Sequence, residues 1–149
     1  MEEREINNFL ENFFKAAEEN PSVVIEKKYG NFYVNIEGLS NPGLFIGKEG
    51  IVLRSLQYIL NIYVHKEDRN FPMVMLDING YKSRQIEMLK TIALNAALRA
   101  KRLKEPVFLK PMSASARKII HMALQNYPNI WTHSTGKEPR RYVVVDLKK

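Results

Sequence analysis

The sequence predicts an α+β fold in which two small units are joined by a long helix. Apolar side chains recur every three or four residues in four segments of the 149-residue chain, which is the spacing of an amphipathic helix. Short runs of apolar or alternating residues, among them SVVIEKK, NFYVNIEG, MVMLDIN and RYVVVDL, are typical of strands. A chain of this size buries roughly 68 to 70 per cent of its unfolded surface, so a genuine core is available.

The first half is predicted to contain a helix, a hairpin, a second helix and a third strand. Asn20 and Pro21 end the first helix, whose apolar positions are Ile6, Phe9, Leu10, Phe13, Phe14 and Ala17. The strands SVVIEKK and NFYVNIEG flank YGN, which predicts a tight turn. LSNPG is predicted to be a loop, the second helix extends to about His65, and MVMLDIN forms the third strand.

The second half is predicted to begin with a helix from Tyr81 to about Lys104. Its apolar face comprises Ile86, Leu89, Ala93, Ala96, Ala100 and Leu103. A brief strand VFL, the loop KPMS, a helix over about residues 115–126 and a hairpin of IWTHS and RYVVVDL follow. We therefore expect one domain over residues 1–80, a linking helix over 81–104 that both domains share, and a second domain over 105–149.

Composition argues against several classes of protein. Without cysteine the chain has no disulfide, thiol nucleophile or cysteine-bound zinc, which suits a reducing compartment. The three histidines, His65, His121 and His133, lack metal-ligand spacing, and no hydrolase or nucleotide-binding motif is present. The N-terminus is acidic and no apolar run approaches about 18 residues. We expect a cytoplasmic protein without membrane insertion, catalytic residues, metal or cofactor.

The net charge of +7 is distributed unevenly along the chain. Residues 1–20 carry two basic and six acidic side chains, residues 21–79 carry six of each, and residues 80–149 carry fifteen basic and four acidic. A basic excess in one half is typical of a polyanion-binding surface. A lysine-rich solvated face would give the same composition, so charge alone leaves both interpretations open.

The segment LFIGKEGIVL places Gly47 and Gly50 around Lys48 and Glu49, directly before a predicted helix. Because glycine has no Cβ, a strand of nucleic acid could approach this backbone closely. Amides left unbonded at the start of the helix, together with Lys48, would then attract a phosphate. The alternative is that both glycines only shape a turn.

The order of helix, strand, strand, G-x-x-G, helix and strand over about residues 3–100 resembles a type II KH domain, with the arrangement α-β-β-α-α-β. The resemblance implies that the G-x-x-G residues clamp the backbone of about four unpaired nucleotides, with Arg54 among the binding residues. Bases would lie in a groove between the helix and the adjacent strand. Glu49 departs from the family, in which this position is often basic or neutral.

Arg117 and His121 lie four residues apart, so on a helix one stands above the other. We expect both at the rim of a buried arc formed by Ala116, Ile119, Ile120, Ala123 and Leu124. A guanidinium can fork onto phosphate oxygens, and an imidazole can donate to a phosphate. By spacing alone, a solvated surface pair is the alternative.

This Arg-x-x-x-His pair follows LKPM and precedes IWTHSTGKEPRRYVVVDL. Over about residues 82–149 the chain resembles the R-three-H domain, a module that binds single-stranded nucleic acid. The matching positions are Thr132, Ser134, Gly136, Glu138, Pro139 and Arg140. An acidic residue that often precedes the arginine is replaced by Ala116.

The binding residues expected here are Arg117, Lys118, His121, Ser134, Lys137, Arg140 and Arg141. Trp131, Tyr127 and Tyr142 are expected in the core rather than stacked on bases.

A KH domain followed by an R-three-H domain resembles the bacterial Jag proteins, also called KhpB and associated with the membrane insertase SpoIIIJ. Many of them have an extra N-terminal domain, which we expect this chain to lack. The resemblance implies a post-transcriptional regulator that binds single-stranded RNA and is linked to cell elongation or division. It also implies a small KH protein or a second copy as partner. Single-stranded DNA is an alternative ligand, and a protein-interaction scaffold or dimerisation module is an alternative function.

Overall fold

A computed structural model describes residues 2–149 and shows a mixed α+β protein, as predicted. The chain divides into two compact units. The first ends at Lys82 and the second begins at Ser83. Each unit has its own hydrophobic core and its own three-stranded sheet. No helix among residues 2–149 combines the length and the apolar character needed to cross a membrane.

The first unit has the predicted order α-β-β-α-α-β. Its elements are α1 (Glu2–Ala16), β1 (Ser22–Lys28), β2 (Asn31–Glu37), α2 (Pro42–Ile46), a 3-10 turn (Lys48–Gly50), α3 (Ile51–Glu67) and β3 (Val74–Ile78). The loop predicted over residues 39–43 is shorter than expected, because α2 already begins at Pro42. Proline suits the first turn of a helix, where its missing N–H would have no partner.

The first sheet has the order β1-β2-β3, with β1 and β2 antiparallel and β2 and β3 parallel. Lys28 pairs with Asn31, so the hairpin turn consists of Tyr29 and Gly30 alone, with φ angles of 52° and 77°. Two left-handed residues give a turn whose twist matches that of the strands it joins. The core includes Ile6, Leu10, Phe14, Phe32, Val34, Leu53, Leu60 and Leu76.

Side chains of α3 occupy the outer edge of β3. Asn61 is buried; it donates to the Val74 carbonyl and accepts from the Val74 amide, at 2.8 and 2.9 Å. Gln57 accepts from the Leu76 amide at 2.9 Å. The amide side chains of one helix thus satisfy backbone groups that an edge strand would otherwise leave without a partner.

The second unit packs two helices on one face of an antiparallel sheet. Its elements are α4 (Tyr81–Leu103), which starts within the first unit, β4 (Val107–Phe108), α5 (Ala114–Leu124), β5 (Ile130–Thr135) and β6 (Tyr142–Leu147). The sheet has the order β4-β6-β5. The extent of α4 is close to the predicted one, and its shared role between two domains stays a prediction.

The core of this unit contains small residues of α4, residues of α5 and one face of the sheet. Its buried members are Leu89, Ala93, Ala96, Ala97, Ala100, Val107, Ala116, Ile120, Leu124, Ile130, Val143 and Val145. Ile86 and Leu103, predicted on the buried face of α4, are 37% and 47% exposed, so that part of the prediction is wrong. The helix is about 35 Å long, and six-residue strands of about 20 Å cannot cover its ends.

Asn61→Ala is expected to lower the free energy of unfolding by about 1–3 kcal/mol, because the amide and carbonyl of Val74 lose their side-chain partner inside the protein. Urea denaturation followed by circular dichroism measures the loss. Asn12→Ala is the matched control, since Asn12 is exposed on α1 of the same unit, and we expect a change within about 0.5 kcal/mol. Equal stability of the two variants would contradict the bridging role of Asn61.

Candidate nucleic-acid interface

The G-x-x-G turn adopts a backbone that a side chain at Gly47 would disrupt. Gly47 has a φ of 73°, and a Cβ there would lie 2.5 Å from Cγ2 of Val52. Glu49, between the two glycines, is also left-handed, with a φ of 53°. The turn therefore holds three left-handed residues within four positions, because Gly50 has a φ of 75°. Such a backbone is strained for ordinary side chains and needs glycine.

Close packing at Gly50 and a hydrogen bond from Arg54 hold this turn in place. A Cβ at the buried Gly50 would approach Cε1 of Tyr81 to 3.0 Å and Nη1 of Arg54 to 3.4 Å. Arg54 donates from Nη1 to the carbonyl of Glu49 at 2.5 Å. Part of the guanidinium predicted to bind nucleic acid thus supports the loop itself.

The amides around the glycines are less available than the sequence suggested. Gly47 donates to the Gly43 carbonyl at 2.9 Å, and Gly50 donates to the Gly47 carbonyl at 3.2 Å. Ile51, the first residue of α3, donates to the Lys48 carbonyl. The prediction that the amides after Gly50 are unbonded is therefore wrong for Ile51, because a tight 3-10 turn uses it. Lys48 is exposed and Glu49 half-buried, which leaves the ammonium as the outward charge.

Arg117 is buried, which corrects the prediction that it lies at the rim of α5. The residue is only 7% exposed. Its Nη1 donates to the Met112 carbonyl at 2.8 Å, and its Nη2 donates to Oε1 of Glu138 at 2.6 Å. Glu138 belongs to the turn between β5 and β6, so the pair fixes this turn to the start of α5. The carboxylate comes from the turn, 21 residues away, rather than from the position occupied by Ala116.

The side chain of His121, on α5, reaches β5 and has a partner on both ring nitrogens. Nδ1 is 2.7 Å from Oγ1 of Thr132, and Nε2 is 2.9 Å from Oγ of Ser134. A neutral imidazole donates through one nitrogen and accepts through the other, and a hydroxyl can serve either role. Burial lowers the pKa of His121, and the charges of Arg117 and His133 lower this pKa further. His121 is therefore a neutral connector at pH 7, and Ser134 is already engaged by it.

Among the predicted binding residues of the second unit, the exposed cations lie on α5 and in the turn between β5 and β6. Lys118 follows the buried Arg117 directly and is exposed. Lys137 and Arg140 are exposed, and the Arg140 amide donates to the Lys137 carbonyl at 2.8 Å. Arg141 is half-buried and donates to the Gly136 and Ser134 carbonyls. We call residues 136–141 the basic turn.

The predicted site residues thus fall into two sets, one in each unit. In the first unit, Gly47, Gly50 and Arg54 shape the loop that presents Lys48 and Glu49. In the second, Arg117, His121 and Arg141 brace the hairpin, whereas Lys118, Lys137 and Arg140 extend into solvent. The spacing of the Arg-x-x-x-His pair suggested direct contact for both members, but each is already engaged within the unit.

The one tryptophan is also misplaced by the sequence prediction. The sequence predicts Trp131 in the core, yet it is 43% exposed. The alternation of side chains along a strand could have indicated this exposure. Ile130 is buried, and the next residue of a strand points to the opposite face of the sheet. Tyr127 does pack against the core, and Tyr142 is half-buried.

The chain is similar to known proteins along nearly its whole length. Residues 87–147 match the R-three-H domain, within the segment predicted to form it. The RNA-binding protein KhpB of Clostridium symbiosum is 41% identical over 145 residues, which is 95% of this chain and 64% of that protein. Its namesake in Lactiplantibacillus plantarum is 32% identical over 84% of this chain and 39% of its own length. In Bacillus subtilis, a protein of the same name is 27% identical over 95% of this chain and 68% of its length.

The chain therefore spans under two thirds of the length of the first two of these relatives. The match covers both the G-x-x-G unit and the R-three-H unit in the first of them, because it includes nearly the whole chain. Residues 87–147 therefore form an R-three-H domain, and along 95% of its length the chain is similar to a protein of the KhpB, or Jag, type.

Proposed function

We propose that the chain binds single-stranded RNA through the basic turn of its R-three-H unit and the G-x-x-G turn of its first unit. The observation that carries this proposal is the basic turn, in which Lys137 and Arg140 are exposed while Arg117 and Glu138 hold the loop against α5. Because the backbone of the loop is already held in place, its cations can contact phosphates with little further loss of conformational entropy. The relatives named RNA-binding proteins support the choice of ligand.

In the first unit, phosphate is proposed to approach at Lys48. The two glycines keep side chains away from the turn, and the N-terminus of α3 behind it adds partial positive charge. Glu49 reduces the attraction, although salt screens a carboxylate at the surface. Gln57 and Asn61 occupy the edge of β3, so bases in the groove beside α3 would meet these amide side chains rather than bare strand amides.

In the second unit, we propose that Arg117, His121, Ser134 and Arg141 act by positioning. They are engaged with Glu138, Thr132 and the hairpin backbone, whereas Lys118, Lys137 and Arg140 supply the charge that contacts RNA. Both ring nitrogens of His121 have hydroxyl partners, which supports binding rather than catalysis. Binding of cellular RNA implies a cytoplasmic location. A small KH partner and self-association stay predictions.

Affinity for a single-stranded oligoribonucleotide is expected to fall with salt, with a log–log slope of about −0.7 for each phosphate neutralised. Lys48→Ala and Lys137→Ala should each weaken binding and make the slope shallower by about 0.7, because each removes one exposed cation. Fluorescence anisotropy of a labelled strand at several salt concentrations measures both. Lys15→Ala, on the acidic helix α1, is the control and should leave the slope unchanged. Salt-independent or absent binding would overturn the proposal.

Arg117→Ala and Lys118→Ala are expected to distinguish a residue that positions the basic turn from a neighbouring residue that contacts RNA. Arg117→Ala should lower the free energy of unfolding by about 1.5–3 kcal/mol, because it removes hydrogen bonds of a charged group inside the protein. Lys118→Ala should weaken RNA binding with stability unchanged within about 0.5 kcal/mol. Urea denaturation and strand binding test the pair. An Arg117→Ala variant of unchanged stability that loses binding would instead assign direct contact to Arg117.

The stability of the protein is expected to fall as the pH decreases below about 6.5. Since burial and the neighbouring charges lower the pKa of His121 in the folded state, the unfolded chain binds more protons in this range. His121→Gln keeps a hydrogen-bonding side chain but cannot titrate, so its stability should depend less on pH than that of the wild type. Urea midpoints between about pH 5.5 and 7.5, the range in which an unperturbed histidine titrates, measure the difference. Identical pH profiles would show that His121 is not held neutral.

A further inference from the structure

One face of the second sheet is covered by α4 and α5, and the other carries aromatic side chains. Val107, Ile130, Val143 and Val145 belong to the covered face, since all four are members of the core. Side chains alternate along each strand, so the neighbours of these residues point away from the helices. The residues on this second face include Phe108, Trp131, His133, Tyr142 and Val144, which we call the platform.

The strand register places these residues side by side. Val144 of the central strand pairs with Phe108 on one side and His133 on the other. Trp131 stacks on His133 with ring centroids 4.5 Å apart and an interplanar angle of 22°. Phe108 meets Tyr142 with centroids 6.3 Å apart. The platform is therefore continuous across all three strands.

The outer members of the platform are exposed although they are large and apolar. Phe108 is 65% exposed and Trp131 is 43% exposed, whereas Val144 between them is buried. Their strands lie about 10 Å apart with the central strand between them, and Trp131 lies two residues further along β5 than His133, which is level with Phe108. They could thus contact two different groups of one ligand at once.

Basic residues border the platform. Lys110 lies two residues beyond Phe108, Arg140 two residues before Tyr142, and Lys148 two residues beyond Asp146. Asp146 is the one acidic residue in the register of the platform, opposite Trp131, and its Oδ1 accepts from the Leu147 amide. Three of these four charged residues are basic, which suits a polyanion better than an apolar peptide.

We propose that the platform stacks unpaired bases of the strand whose phosphates meet the basic turn, and this inference rests on the proposed function. Thr135 and Tyr142 form the last pair of the hairpin, so the basic turn begins where the platform ends. Every base has a π-face, and aromatic rings beside a cationic track are a common way to hold single strands without reading their sequence. The platform thereby assigns a base-binding role to Trp131 and Phe108.

The tryptophan makes the test direct, because Trp131 is the only one in the chain. An oligouridylate long enough to span the platform and the basic turn is expected to quench its fluorescence as binding proceeds, since a stacked base contacts the indole. Inorganic polyphosphate, which has the charge but no bases, should compete for the protein without quenching. Oligouridylate that binds by anisotropy but leaves the Trp131 emission unchanged would overturn the platform.

Trp131→Ala and Phe108→Ala are each expected to weaken oligouridylate binding about 5- to 150-fold, whereas Trp131→Phe should retain most of the affinity. Tyr29→Asn is the matched control, because it removes a ring that is 96% exposed in the first unit, at a left-handed position that asparagine accepts. Circular dichroism checks that each variant folds.

The outcomes separate the two proposals. If the wild type binds the strand and both alanine variants bind it with equal affinity, the base-binding role of the platform is refuted but the proposed function is kept. A wild-type protein that binds no strand at all overturns both. Weakening in the two alanine variants, with Tyr29→Asn and Trp131→Phe near wild type, supports base stacking at this face.

Discussion

The ion pair between Arg117 and Glu138 is the interaction on which the candidate surface of the R-three-H unit depends. Arg117 is only 7% exposed and needs partners, because an uncompensated charge inside a protein is costly. Glu138, in the turn between β5 and β6, and the carbonyl of Met112, just before α5, supply them. Meeting this requirement brings the turn between β5 and β6 onto the helix. The exposed cations of the turn are therefore placed by a residue that is itself hidden.

The first unit reaches a similar result by backbone geometry instead of charge. Gly47 and Gly50 accept left-handed angles, and Val52 and Tyr81 leave little room for a Cβ at either position. Arg54 holds the Glu49 carbonyl, so a basic side chain again supports a loop. In both units one cation is used to build the loop and another, Lys48 or Lys118, faces solvent. The proposed phosphate contacts and the construction of each loop thus fall to different residues.

Within the R-three-H unit, the two proposals give two physically distinct ways to hold a single strand, one at the basic turn and one at the platform. Ammonium and guanidinium groups act on phosphates at a range that salt screens, whereas aromatic rings act on bases only in contact. Neither depends on base identity, so the proposed function does not require the R-three-H unit to read one sequence. The neutral His121 adds rigidity to this unit, because it links α5 to β5 through two hydroxyls.

The sequence by itself determined the order of elements and the two candidate segments, because these follow from local periods and turn residues such as Tyr29–Gly30 and the paired glycines. Tertiary structure decided which side chains face solvent. Arg117 has the helical position of a rim residue, but its burial depends on Glu138, 21 residues away, and no local pattern reveals that pairing. The exposure of Trp131 similarly depends on which face of the sheet α4 and α5 cover. Long-range packing, rather than spacing, settled both.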